Sequence, residues 1–151
     1  MIRVAGLLAV LLAPLIAIAG ETCPWLNAAT AEGILGTPVE LNVTHESAST
    51  TCVFSAQSKA AKMSLRIEVV VAAKTGRPEC GSAPLPLRAI GNEAHACSVT
   101  SAANQVVEAV FGRVREQHFQ IEVTTDDRHL SRDKLREKAR MAALHVAGNL
   151  F

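Results

Sequence analysis

Two side chains near the middle of the chain have the spacing that acid–base chemistry would need. Glu93 and His95 flank Ala94, so on a strand both would point to the same side. A carboxylate beside an imidazole can orient a general base. No G-x-S-x-G nucleophile elbow accompanies them. We therefore predict no catalytic residue here and favour a turn closed by side-chain hydrogen bonds, with a binding role for the pair as the alternative.

A second charged group lies near the C terminus. Arg132, Arg136 and Arg140 recur every four residues, which places them in one stripe along a helix. Such a stripe can bind an anion or an acidic partner. Asp133 and Glu137 are close enough to pair with it, so a solvated helix face with internal salt bridges is the favoured interpretation. The partner-binding patch is kept as the alternative.

The remaining patterns predict neither a metal nor a cofactor. The chain has no H-E-x-x-H pair, no C-x-x-C spacing and no glycine-rich phosphate loop of the G-x-G-x-x-G or G-x-x-x-x-G-K-[ST] type. His95 with Cys97 is too small a ligand set for zinc. We therefore expect no bound cofactor.

The four cysteines are even in number, as expected for disulfides in an exported chain. Three pairings of Cys23, Cys52, Cys80 and Cys97 are possible. We prefer Cys23–Cys52 with Cys80–Cys97, because each link then ties neighbouring elements together. On the chain-entropy account each link would stabilise the fold by roughly 3–4 kcal/mol. Cysteines held in this way cannot act as thiolates.

The N terminus has the three parts of a secretory signal. Arg3 precedes an apolar run over 4–16, and Ala17-Ile18-Ala19 forms an A-x-A cleavage site. The run is shorter than the about 20 apolar residues that span a bilayer; a retained membrane anchor is the alternative. We predict a signal peptide, 1–19, and a single secreted α+β domain, 20–151, in the periplasm or outside the cell.

Charge and aromatic content argue against nucleic acid as a partner. Once Arg3 leaves with the signal, the remaining basic side chains equal the 14 acidic ones in number. Proteins that bind nucleic acid non-specifically are usually basic. One tryptophan, four phenylalanines and no tyrosine provide few rings on which bases could stack. We expect an envelope protein or a small ligand as partner, and no stable membrane insertion after cleavage.

Hydrophobic periodicity predicts an α+β domain. A helix is expected to open over 23–27, with Pro24 in its first turn, to continue over 27–35, and to end at Gly36 as its C-terminal cap. The proline- and glycine-rich segment 74–88 is expected to be a loop, and a long amphipathic helix follows from Ser131. Alternating apolar residues predict an antiparallel β-sheet of five to six strands, packed with the N-terminal and the long C-terminal helix. The strands are expected over 39–44, 52–56, 65–71, 94–99, 106–111 and 119–123.

Three short motifs carry a resemblance to a known family. The predicted first helix opens with Cys-x-x-Leu and ends in Ile34-Leu35-Gly36. A second cysteine lies in the strand segment Cys52-Val53-Phe54, and the turn Ile90-Gly91-Asn92-Glu93-Ala94 precedes a strand. With the C-terminal helix, these features resemble a family of small bacterial exported proteins and lipoproteins, whose better-studied relatives share a PsbP-like α/β/α sandwich. The chain departs from the lipoprotein members because Glu21 and Thr22 stand before Cys23, where a lipid-modified cysteine would be needed.

The resemblance implies a non-enzymatic accessory or binding role in the cell envelope. The leading prediction is an exported, non-catalytic binding or accessory protein that acts through the open face of its sheet or the proline-rich loop. Two alternatives are a small periplasmic enzyme using the Glu93/His95 region, and a structural subunit that forms oligomers.

Overall fold

The computed structural model describes residues 21–71, 78–101 and 104–151. The predicted signal peptide and residues 74–77 of the predicted loop lie outside these ranges. The helices are α1 (Ala28–Leu35) and α2 (Arg132–Leu150). The strands are β1 (Val39–His45), β2 (Ser49–Gln57), β3 (Lys62–Val71), β4 (Leu85–Leu87), β5 (Glu93–Val99), β6 (Val106–Val114) and β7 (Gln117–Thr125).

Both helices begin at a polar capping side chain. Asn27 Oδ1 accepts a hydrogen bond from the Thr30 amide at 2.8 Å ahead of α1, and Ser131 caps α2 in the same way. Gly36 ends α1 with φ 86°, which confirms the predicted cap. The expectation that Pro24 lies in the first helical turn is wrong, because the cap at Asn27 starts the helix further along the chain.

The strands form one antiparallel sheet in the order β1-β2-β3-β7-β6-β5-β4. Two meanders, β1–β3 and β4–β7, join where β3 pairs with β7. The predicted α+β architecture with a long C-terminal helix is therefore confirmed. The predicted count of five to six strands is wrong, since the described residues contain seven.

The additional strand is β4, which lies inside the predicted loop. It has three residues with Pro86 in the centre, and it pairs only with β5. Proline has no amide to donate, which confines it largely to edge strands. A strand this short gives no alternating pattern, so the proline and glycine content alone predicted a loop.

One face of the sheet forms the core. Phe54, Leu65 and Val123 lie side by side on β2, β3 and β7, and all three are fully buried. Both helices pack on this face, α1 against β1–β3 and α2 against β5–β7. The opposite face, called the open face below, carries neither helix of the described chain. The architecture is thus two layers, with helices on one side of the sheet.

Both disulfides have the preferred pairing, Cys23–Cys52 and Cys80–Cys97. The first joins the segment before α1 to the buried side of β2. The second joins the segment before β4 to β5. Two disulfides indicate an oxidising environment outside the cytoplasm. Within the described ranges, neither helix has the length and apolarity needed to cross a membrane.

Candidate functional site

Glu93 and His95 both lie on the open face, because they alternate with Ala94 along β5. Each has a partner on the neighbouring strand β6. The Glu93 carboxylate lies 3.4 Å from Nε of Arg113, and the His95 ring stacks on Phe111 with centroids 5.6 Å apart. Among the hydrogen bonds of the described residues, none joins Glu93 to His95. The two side chains therefore share a face without forming a dyad.

Asn92, directly before β5, stabilises the turn between β6 and β7. Oδ1 of Asn92 accepts a hydrogen bond from the Arg115 amide at 2.6 Å, and the Asn92 amide donates to the Arg113 carbonyl at 2.8 Å. Arg115 has φ 53°, a left-handed conformation that the Asn92 contact helps to hold. The side-chain hydrogen bond at Asn92 thus holds the turn between β6 and β7, whereas Glu93 and His95, which were expected to lie in a turn, belong to the strand β5.

The three arginines of the α2 stripe all pair with carboxylates of the same chain. Nε and one terminal nitrogen of Arg140 each donate to Glu137 over 2.9 Å. This bidentate hydrogen bond lowers the pKa of Glu137 and raises that of Arg140. Arg136 contacts Asp133 at 3.4 Å. The internal salt bridges of the favoured interpretation are therefore present, and anion binding by the stripe remains a prediction.

The other carboxylate that holds this stripe is Glu108, which sequence reasoning missed. It is fully buried on the helix-covered side of β6. Its two oxygens lie 3.3 Å from Arg132 and 3.0 Å from Arg136, and Ser98 Oγ donates to it at 2.5 Å. The sequence does contain one indication of this buried carboxylate, because Glu108 is the single acidic residue inside the otherwise apolar run 106–111. This cluster joins α2 to the sheet and has its hydrogen bonds satisfied internally.

The centre of the open face also carries a connected polar group. The Arg66 guanidinium lies 2.8 Å from Glu68 and 4.0 Å from Glu122. The Gln120 amide donates to Glu122 at 2.7 Å. Because these side chains bond to one another, their capacity to bind a further molecule is already partly used.

A groove of about 500 Å³ lies beside this polar group, at the end of the sheet where β2 ends and β3 begins. We call it the sheet-end groove. Its floor is a row of residues that the strand register aligns across four strands: Glu40 beside Ser55, Ser55 beside Ser64, and Ser64 beside Thr124. All four point to the open face. The other lining residues are Pro38, Val39, Ala56, Gln57, Lys62, Met63, Gln105 and Thr125.

The groove differs from the two arginine-containing clusters in that its charges have no internal partner. Glu40 and Lys62 are both exposed. In the described part of the chain, neither the Glu40 carboxylate nor the Lys62 ammonium group takes part in an ion pair. The Lys62 main chain is fixed instead, because its amide donates to Asp126 at 2.7 Å. Among the described residues, the groove therefore presents one acid and one base outside any ion pair, together with the three hydroxyl groups of its floor.

Sequence reasoning did not identify this groove. Ser55, Ser64 and Thr124 are ordinary polar residues on alternating strands, and nothing in their types distinguishes them from other outward positions. What brings them together is the register of three strand pairs, of which β3–β7 joins Ser64 to Thr124, 60 residues further along the chain. Long-range pairing of this kind leaves no local pattern in the sequence.

No group of three or more His, Cys, Asp or Glu side chains in residues 21–71, 78–101 and 104–151 is arranged to hold a metal ion. Comparison with protein-family models, with curated proteins and with solved structures finds no match to this chain.

Proposed function

We propose that this chain is an exported binding protein of the bacterial cell envelope, which holds a small polar ligand in the sheet-end groove and catalyses no reaction. The observation that carries the proposal is the groove itself. Its volume falls within the roughly 300–1,000 Å³ of small-molecule sites. Its hydroxyl groups and unpaired charges can bond to a ligand, whereas the polar side chains at the centre of the open face already bond to one another. The two disulfides support a location in the periplasm or outside the cell.

The enzyme alternative has less support. It depends on the Glu93/His95 region, where the carboxylate pairs with Arg113 and the imidazole stacks on Phe111. A general base must be free to reach a substrate proton. The contacts of both side chains are instead those of sheet residues that stabilise β5 against β6.

The oligomer-forming alternative is also less favoured, because both sheet edges are protected. On the β1 edge, the amides of Val39 and Val43 donate to the carboxylates of Glu32 and Glu21, at 3.4 and 3.3 Å. The other edge is the three-residue strand β4 with its central proline. Satisfied amides, short strands and proline all reduce pairing with another chain.

A fragment screen on the exported, disulfide-bonded protein tests the proposal. The library contains carboxylic acids, amines, sugars and short peptides, and binding is read from backbone amide shifts in NMR spectra. We expect at least one class to shift the amides of Ser55, Ser64 and Thr124. Ser55→Trp, which fills the groove, should abolish those shifts.

Thr51→Trp is the matched control, because Thr51 lies on the same strand and the same face but outside the groove. It should leave binding intact. A library that shifts none of the groove amides, or shifts that survive Ser55→Trp, would refute a binding function at this site.

A further inference from the structure

We infer that the ligand of the sheet-end groove is a short peptide with free termini, whose amino group meets Glu40 and whose carboxylate meets Lys62. This inference rests on the proposed function and adds a ligand class to it. The first observation is the pair of opposite charges at separate places in one groove. An isolated anion would be repelled by Glu40 and an isolated cation by Lys62, whereas a ligand with both charges satisfies both residues.

The separation of the Glu40 and Lys62 Cα atoms in the sheet gives a scale for the length of the ligand. Glu40 on β1 lies two strands away from β3, directly across from Ser64, and Lys62 lies two residues before Ser64 on β3. With strands about 4.8 Å apart and a rise of about 3.3 Å per residue, their Cα atoms lie about 12 Å apart. An extended peptide of three residues spans about 10 Å. A peptide of this length can therefore extend from one residue to the other along the groove.

The floor between the charges suits a peptide backbone. Ser55 and Ser64 lie on the row that starts at Glu40, and Gln57 pairs with Lys62 in the register of β2 and β3. Hydroxyl and amide side chains can each donate and accept a hydrogen bond, as the amide groups of a peptide require. None of the described residues that line the groove is aromatic, so they do not offer the ring-stacking contact that commonly recognises sugars and bases.

The groove also lacks the features of a site for a specific side chain. In the described part of the chain, its apolar lining consists of Pro38, Val39, Ala56 and Met63. The recognition that the residues support is therefore directed at the termini and the backbone, with little discrimination between peptide sequences. Tri-alanine is consequently an adequate probe.

The experiment is an NMR titration of the exported, disulfide-bonded protein with tri-alanine, N-acetyl-tri-alanine, tri-alanine amide and the doubly blocked peptide. Tri-alanine should shift the amides of Ser55, Ser64 and Thr124. Because exposed ion pairs contribute little, each block should weaken binding only about two- to fivefold at low salt, and 0.5 M salt should remove that difference.

Single substitutions test which residue binds which terminus of the peptide. In Lys62→Met, amidation of the peptide should no longer weaken binding, while acetylation still should. In Glu40→Gln, acetylation of the peptide should no longer weaken binding, while amidation still should. Lys59→Met and Glu46→Gln change exposed charges that do not line the groove, and they should behave like the unmodified protein.

Equal binding of the free and the doubly blocked peptides would overturn the inference, and so would the absence of tri-alanine binding. If another ligand class shifts the groove amides while tri-alanine is silent, the ligand class is wrong and the proposed binding function stands. If no class shifts them, both fail.

Discussion

Arg136 on α2 donates from its Nε to Oε2 of Glu108 on β6 over 3.0 Å, and the carboxylate is fully buried. Phe54, Leu65 and Val123 form a row across the core face of the sheet, and Glu108 extends this row because it lies beside Val123. A charge at that position is tolerated only because α2 brings cations to it. The contact therefore adds a polar link between α2 and the sheet to the packing of the buried apolar face of α2.

Replacing Glu108 should destabilise the protein strongly. Glu108→Gln keeps the shape and removes the charge, which leaves Arg136 without its main partner, and we expect a loss of about 2–3 kcal/mol in the free energy of unfolding. Urea denaturation measures it. Glu68→Gln removes a carboxylate that pairs with Arg66 on the open face, and it should cost less than about 1 kcal/mol.

The double variant Glu108→Leu/Arg136→Met separates charge from packing. It replaces both members of the pair by apolar side chains, so it should be more stable than Glu108→Gln. Equal losses for Glu108→Gln and Glu68→Gln would contradict the role assigned to the buried contact.

Gly112 should not tolerate a side chain. A Cβ atom there would clash with the Glu93 carbonyl and lie 2.7 Å from Cζ of Phe119. Gly112→Ala should therefore lower the free energy of unfolding by about 1–3 kcal/mol, measured by thermal or urea denaturation. Gly148→Ala on α2 is the control, since a Cβ there meets nothing within 4 Å beyond its own stretch of helix, and it should stabilise by up to about 1 kcal/mol. A neutral Gly112→Ala would show that β5 and β6 can separate at this point.

Lys138 gives the stability a defined pH dependence. It donates from Nζ to the carbonyls of Ile34 and Leu35 at the end of α1, and burial lowers its pKa. Between that lowered pKa and the ordinary value near 10.5, the unfolded chain binds more protons than the folded one. The stability contributed by this group therefore rises with pH across the alkaline range and levels off above the unfolded pKa.

The measurement is the difference in unfolding free energy between the unmodified protein and Lys138→Met from pH 8 to 11. It should move in favour of the unmodified protein as the pH rises. Lys134→Met, an exposed change on the same helix, should give a flat difference. A difference that falls with pH would mean that the folded state favours the charged form of Lys138.

Each disulfide should contribute separately to stability. The loops closed have sequence separations of 29 and 17 residues, for which chain entropy predicts about 3–4 kcal/mol each. Cys23→Ala/Cys52→Ala and Cys80→Ala/Cys97→Ala should each lower the unfolding midpoint in urea. Mass mapping without reductant should find no free thiol. A Cys23–Cys80 or Cys23–Cys97 link would contradict both the pairing and the topology.

Much of the fold follows from local patterns that the sequence displays directly. Alternation predicted β7, where Phe119, Ile121 and Val123 face the core, and helical spacing predicted the buried face of α2. The strand β4 was missed because a three-residue strand around Pro86 has no period to detect. The long elements were therefore predicted and the short one was missed, because an element must span several residues before its period can be recognised.

By itself the sequence predicted both helices, six of the seven strands of the described chain, a preferred pairing of the cysteines, and partners nearby for the charged residues of α2. Those outcomes depend on periodicity and on residues close together in the chain. Only the tertiary structure decided that Glu108 holds α2, and that Glu40, Ser55, Ser64 and Thr124 form one row beside Lys62. The register of paired strands sets both, and register is fixed by long-range packing that no local pattern records.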